Sequence, residues 1–225
     1  MKGTLCLSAT AVATLILIGV WPQLDLATSR LFFDGTGFLM ADNGASVALR
    51  WVLRVLPFIP ALAGLVIIAA SRWLPRTVLG LGRRGWAAIT LTFVLGPGLL
   101  VNALLKTYWG RARPRNVTEF GGDKLFTAPH QWSDQCAANC SFVSGEVSAV
   151  TALTLALLTL IAANRDKLGQ GTFTAGVVIS CLLPVLSAFQ RIGAGAHFLS
   201  DSILAVILTV LVAHWVQGIV DPKPR

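Results

Sequence analysis

The sequence predicts an all-α polytopic membrane protein: one domain over residues 1–225, six transmembrane helices, and a helical-bundle site at the outer face. Three observations carry this. Hydrophobic residues make up 55% of the chain and charged residues only 12%, about half the charged share of an average soluble domain. The apolar residues gather into runs long enough to cross about 30 Å of hydrocarbon. The charged residues gather in the segments between those runs, with several close to the run ends, where burial is costly and usually serves function.

The expected spans are Thr4–Val20, Val55–Ala70, Trp86–Leu105, Val143–Ala163, Thr172–Phe189 and Phe198–Val216. The first follows Met1-Lys2 like a signal peptide. Trp21-Pro22-Gln23 replaces a small-residue cleavage site, so it reads as a retained helix. The second is short and can extend back toward Ala45. Trp21, Trp73, Trp86, Trp109 and Trp215 stand near span ends, where indole rings suit the interfacial belt. Pro22 to Arg54 mixes Leu24, Leu26, Leu31, Phe32, Phe33 and Phe38 with polar residues and is expected to lie in the interface. Lys106 to Phe142 is long and polar, as a functional loop would be.

Six spans put both termini on one side. That side holds Lys2, Arg72, Arg76, Arg83, Arg84, Arg165, Lys167, Lys223 and Arg225, half of the 18 basic residues, with only Asp166 and Asp221 of the ten acidic ones. The basic residues opposite include Lys106, Arg111, Arg113, Arg115 and Arg191, several of which have a ligand-binding reading and so are poor topology markers. The first side is therefore assigned to the cytoplasm. The net charge of +8 sits in short loops and forms no basic stripe, so membrane head groups, and not nucleic acid, are the expected partners.

Of four cysteines, Cys6 and Cys181 fall in apolar runs and read as inert packing residues. Cys136 and Cys140 lie four apart in the polar loop. They can form a disulfide if that loop faces an oxidising compartment, and are otherwise two unpaired thiols. Only His130 lies near enough to add a metal ligand, so no metal or cofactor is expected.

Three polar groups carry the chemistry: Lys106 through Arg113-Pro114, then Ser141 to Glu146, then Arg191 with His197 and Asp201. The first follows span three, the second opens span four, and the third joins spans five and six. All emerge on one face, and a bundle of these spans makes them one cluster. Arg113 and Arg191 offer planar forks for phosphate oxygens and Lys106 adds a point charge. Ser144 and Gly145 open a helix, whose free N–H groups and dipole favour an anion. His197 and Asp201, four apart, share a helix face, so Asp201 can hold one imidazole nitrogen protonated and leave the other to attack phosphorus. Taken singly each signal is weak; His130 and His214 read as structural.

Lys106-x6-Arg113-Pro114, Ser144-Gly145 and Arg191-x5-His197-x3-Asp201 resemble the three-part signature of the type 2 phosphatidate phosphatase superfamily, which includes bacterial acid phosphatases and vanadium haloperoxidases. The stretch from Leu24-Asp25-Leu26 to Leu31-Phe32-Phe33-Asp34 is similar to its membrane branch. The resemblance implies a six-helix membrane fold and metal-independent phosphate ester hydrolysis. In it His197 would be the nucleophile that becomes a phosphohistidine, Asp201 its orienting partner, and Lys106, Arg113, Arg191, Ser144 and Gly145 the phosphate binders. Two departures stand out. Gln190 replaces the usual Ser before the third-motif arginine. Glu146 replaces the middle-motif His that protonates the leaving group. A buried carboxylic acid can do that work, and Glu146 is the expected acid, although nearby cations oppose this.

The expected function is hydrolysis of a lipid phosphate monoester or pyrophosphate: lipid A, an isoprenoid pyrophosphate, phosphatidate or phosphatidylglycerol phosphate. The Ser-Phe-Val-Ser-Gly-Glu variant is similar to a bacterial branch with lipid A phosphatase-like members. The alternatives are a lipid phosphotransferase using the same histidine, and a non-catalytic anion- or lipid-binding membrane protein. The expected location is the bacterial inner membrane, with the site facing the periplasm.

Overall fold

The computed structural model describes residues 9, 12–14, 16 and 19–221. Among them five helices are long and apolar enough to cross a membrane. A short helix α1, Gln23–Arg30, precedes α2 (Gly44–Ala69), α3 (Arg83–Tyr108), α4 (Gly145–Ala163), α5 (Gln170–Gly193) and α6 (Leu199–Val220). The all-α membrane class stands. The count among the described residues is five and not six, because the expected span Thr4–Val20 lies largely outside them, as does Cys6.

Local chemistry sets the boundaries. Asn43 caps α2 by accepting from the Ser46 N–H at 3.0 Å, so this span begins at Gly44, with the extension toward Ala45 present, and not at Val55. Leu56 and Pro57 form a turn that divides it into Gly44–Val55 and Phe58–Ala69. In α3 the stretch Val94–Leu105 is wound as a π-helix around Pro97. The proline supplies no N–H to the ladder. Asn102 Nδ2 donates to the Pro97 carbonyl at 2.6 Å and satisfies it inside the span.

A two-stranded hairpin, β1 (Thr77–Val78) with β2 (Leu81–Gly82), turns the chain from α2 into α3. Farther along these two helices, Gly64 of α2 allows close approach to α3, since a Cβ there would collide with Thr90 Oγ1. One core layer joins Trp86, Ile89 and Phe93 of α3 to Ala152, Leu153 and Ala156 of α4. A second, nearer the site, joins Val101, Phe142, Val143, Val147, Leu204 and Ala205. The outward faces present Trp51, Phe58, Ile59, Val66, Val178, Ile179, Val185 and Ile219, as lipid contact requires.

Three expectations are corrected. Trp86 is no interfacial ring: it is 1% exposed, and its Nε1 donates to the Val78 carbonyl at 3.1 Å. Cys181 is exposed on the outer face of α5 instead of packed inside. Pro22–Arg54 does not simply lie along the interface. Phe38 of this segment joins Ala112, Val117, Phe120 and Phe198 in a third buried cluster, and Asp25 and Ser29 of α1 are buried. The reason is polar as well as apolar: Asp25 has buried partners in the loop and on α6.

Candidate active site

The first turns of α4 and α6 and the last turns of α3 and α5 meet at one end of the bundle. Between them lies a cleft of about 350 Å³ that both Glu146 and His197 line. Lys106, Arg113, Gly145 and Arg191 line it too, so six of the eight expected site residues come together there. Ser144 and Asp201, fully buried, do not line it. Ser144 is the N-cap of α4, its hydroxyl accepting from the Val147 N–H at 3.4 Å. Asp201 stands behind the histidine.

His197 is 2% exposed. Its Nδ1 lies 2.7 Å from the Ser141 carbonyl oxygen and 3.9 Å from Asp201 Oδ2. A carbonyl can only accept, so Nδ1 carries the hydrogen and Nε2 keeps its lone pair. The direct partner of the ring is thus the Ser141 backbone, where the sequence pointed to Asp201. Asp201 Oδ2 accepts from the Ser141 hydroxyl at 2.5 Å and from the Phe198 N–H at 2.9 Å. Burial first, then the cations Lys106, Arg191 and Arg113, hold the His197 imidazole well below its ordinary pKa. A neutral ring is the form that can act as a nucleophile.

The cations are crowded. Lys106 Nζ donates to Asn139 Oδ1 at 3.1 Å. Arg113 donates through Nη2 and Nε to the Asn139 carbonyl at 2.7 and 3.2 Å. Asn139 lies inside the short loop closed by a disulfide between Cys136 and Cys140. Burial and the neighbouring Arg115 and Arg50 push the Arg113 guanidinium below its ordinary range. Arg191 Nη1 donates to Gln190 Oε1 at 3.1 Å, and its buried Nε has no hydrogen-bond partner. A bound oxyanion would relieve that mutual repulsion and supply the missing acceptor.

Gly145 sits in close approach to α3: a Cβ there would collide with Asn102 Oδ1. Glu146 carries an ion pair that the sequence did not reveal. Arg50 Nη2 donates to its Oε1 at 2.8 Å, and Arg50 Nε is 3.2 Å from each oxygen. Arg191 Nε is 3.7 Å from Oε2. Such a fork suits an ionised carboxylate, because a protonated oxygen would point a hydrogen at a guanidinium N–H. The visible signal for Arg50 is that it and Arg54 are the two charges inside the span α2.

Behind the cleft lies a buried network. Arg111, fully buried, donates to Asp201 Oδ1 and to Asp25 Oδ2, both at 2.7 Å. It also donates to Ser200 Oγ at 2.8 Å and to the Thr127 carbonyl at 2.9 Å. A larger cavity, about 720 Å³, opens at the other end of the bundle and includes Arg84, His214 and Asp221. Its arginine already faces Asp221 at 3.7 Å, and it has no comparable cradle of cations. Among the described residues no group of three or more metal-ligating side chains occurs.

Residues 86–224 match the PAP2 superfamily model, a region that includes Lys106, Arg113, Gly145, Glu146, Arg191 and His197 of the cleft. The chain belongs to the PAP2 superfamily. A lipid A 4'-phosphatase of Francisella tularensis subsp. novicida is 32% identical over 88% of this chain and 86% of its own length. A lipid A 4'-phosphatase of Rhizobium leguminosarum is 30% identical over 89% and 88%, and that of Rhizobium etli 31% over 89% and 80%. No solved structure matches. In this PAP2 chain the segment before residue 86, outside the matched region, contributes Arg50 to the cleft wall and Asp25 to the network behind it.

Proposed function

We propose that this chain, an integral membrane lipid phosphatase, hydrolyses the phosphate monoester of a lipid A-type glycolipid at the periplasmic face of the inner membrane. The observation that carries the reading is one cleft lined by Lys106, Arg113, Arg191 and His197, with the His197 ring fixed by the Ser141 carbonyl so that Nε2 is the free nitrogen. The similarity to three lipid A 4'-phosphatases over most of their length supports the lipid class.

In this mechanism the phosphate sits on Lys106, Arg113 and Arg191, with the Gly145 end of α4 adding its dipole. His197 Nε2 attacks phosphorus, the P–O bond to the lipid breaks, and a phosphohistidine forms. Nδ1 keeps its hydrogen on Ser141, so the phosphorylated ring carries positive charge. Water then attacks phosphorus, loses a proton, and returns the imidazole to its neutral form. Glu146 takes a different part from the acid its motif position suggested. Bound as a carboxylate to Arg50, it holds that guanidinium at the cleft wall, where it stabilises the leaving oxygen, which takes its proton from water.

The periplasmic assignment rests on the disulfide beside the cleft, which an oxidising compartment maintains, and on the basic, acid-poor loops opposite. The test is phosphate release by purified protein from lipid A, phosphatidate, phosphatidylglycerol phosphate and an isoprenoid pyrophosphate. Lipid A is expected to be the best substrate, and His197→Ala to release none. Turnover by folded His197→Ala would overturn the nucleophile; preference for another lipid would overturn the substrate.

A further inference from the structure

The network behind His197 reaches a residue far from every motif of the site. Asp25, on α1, is 3% exposed. Its Oδ1 accepts from the Ser200 N–H at 2.8 Å, and its Oδ2 accepts from Ser200 Oγ at 2.5 Å and from Arg111 Nη2 at 2.7 Å. Arg111 Nη1 continues to Asp201 Oδ1, and Asp201 Oδ2 to the Ser141 hydroxyl. The carbonyl of that same Ser141 holds His197 Nδ1. Every member is buried, so water does not screen the charges. Asp25 lies outside the region matched by the family model.

We infer that Asp25 is a positioning residue for the reaction, acting on His197 through Arg111, Asp201 and Ser141. Two physical consequences follow from the connectivity. The first is geometric. Ser141 is fixed on both sides, its N–H donating to the Arg111 carbonyl at 2.9 Å and its hydroxyl to Asp201, so the acceptor that orients the imidazole cannot shift without disturbing Arg111. The second is electrostatic. Asp25, Arg111 and Asp201 sum to one net negative charge. The groups facing His197 from the other side are Lys106, Arg113 and Arg191, all positive, with Glu146 farther along the cleft. When the ring becomes phosphorylated and positive, the buried negative charge is the countercharge on its Nδ1 side. Loss of the Asp25 charge leaves the network neutral, so the positive ring faces three cations with only the more distant Glu146 carboxylate to offset them.

This inference rests on the phosphatase reading, and the two fail differently: an inactive wild type counts against that reading, whereas an active wild type with an equally active Asp25 variant counts against this one. The experiment measures kcat and KM for release of phosphate from the best lipid phosphate, for wild type, Asp25→Asn and Leu26→Ala in the same detergent. Leu26 packs half-buried on the Phe38–Phe198 cluster, so its truncation loosens the same segment without touching a charge. For Asp25→Asn, kcat is expected to fall about tenfold or more, up to roughly a hundredfold, at unchanged KM. Leu26→Ala is expected to melt lower and keep its kcat. Equal kcat for Asp25→Asn and wild type, or kcat losses that track the drop in melting temperature in both variants, would overturn the proposal. Ser141→Ala covers the case in which Asp25→Asn does not fold. It removes a neutral hydroxyl and keeps the carbonyl on His197, and its kcat is expected to fall severalfold; full activity there would break the chain at its last link and overturn the proposal.

Discussion

Replacing Glu146 by Gln separates the two parts this side chain could play. Among the residues lining the cleft it is the only carboxylate, against Arg50, Arg54, Lys106, Arg113 and Arg191. Gln keeps the volume and an oxygen for Arg50, and removes one negative charge. A carboxylate about 7 Å from a bound phosphate, at an effective dielectric constant of about 40 to 80, repels it by about 0.6 to 1.2 kcal/mol per unit of charge. For a dianion that is about 1 to 2 kcal/mol, or roughly five- to thirtyfold in affinity. Glu146→Gln is therefore expected to bind inorganic phosphate that much more tightly as a competitive inhibitor. Its kcat is expected to stay within about tenfold of wild type, because a lost general acid would cost about 10²- to 10⁴-fold. The assay is lipid phosphate hydrolysis in detergent micelles, with and without added phosphate. A kcat loss of a hundredfold or more with an unchanged inhibition constant would refute this reasoning and make Glu146 the proton donor.

Further outcomes follow from the same geometry. Gly145→Ala forces its Cβ against Asn102, which is itself tied to Pro97; a cost of about 1–3 kcal/mol is expected, read as a lower melting temperature and reduced kcat/KM. Because His197 is held neutral in the folded chain while an unfolded histidine titrates near 6.5, only the unfolded state gains a proton below that pH. This contribution is thus absent above about pH 6.5 and destabilises increasingly as pH falls below it; melting curves from pH 8 to 5 should show that component in wild type and lack it in His197→Ala. Cys136→Ser combined with Cys140→Ser frees the loop that places Asn139 on Lys106 and Arg113. Losing about 1 kcal/mol of fixed hydrogen bonding should raise KM about fivefold with little change in kcat, and reductant should do the same to wild type only.

The sequence by itself determined the membrane class, the boundaries of most spans to within a few residues, and the clustering of three polar groups at one end. These are consequences of one-dimensional quantities: apolar run length against bilayer thickness, and the parity of crossings, which puts the ends of spans three and five on the same side as the starts of four and six. What only the tertiary structure decided is who touches whom across distant chain segments. Arg50 meets Glu146 across 96 positions and Asp25 meets Ser200 across 175. Neither pairing has a sequence spacing to betray it, and the second is buried, where water no longer screens the Asp25 charge. Likewise His197 and Asp201 stand four apart on the chain, yet a backbone carbonyl from Ser141 reaches the ring first, because a loop folded from elsewhere fills the space between them. Helix periodicity can place side chains on a common face; which acceptor wins a hydrogen is settled by packing.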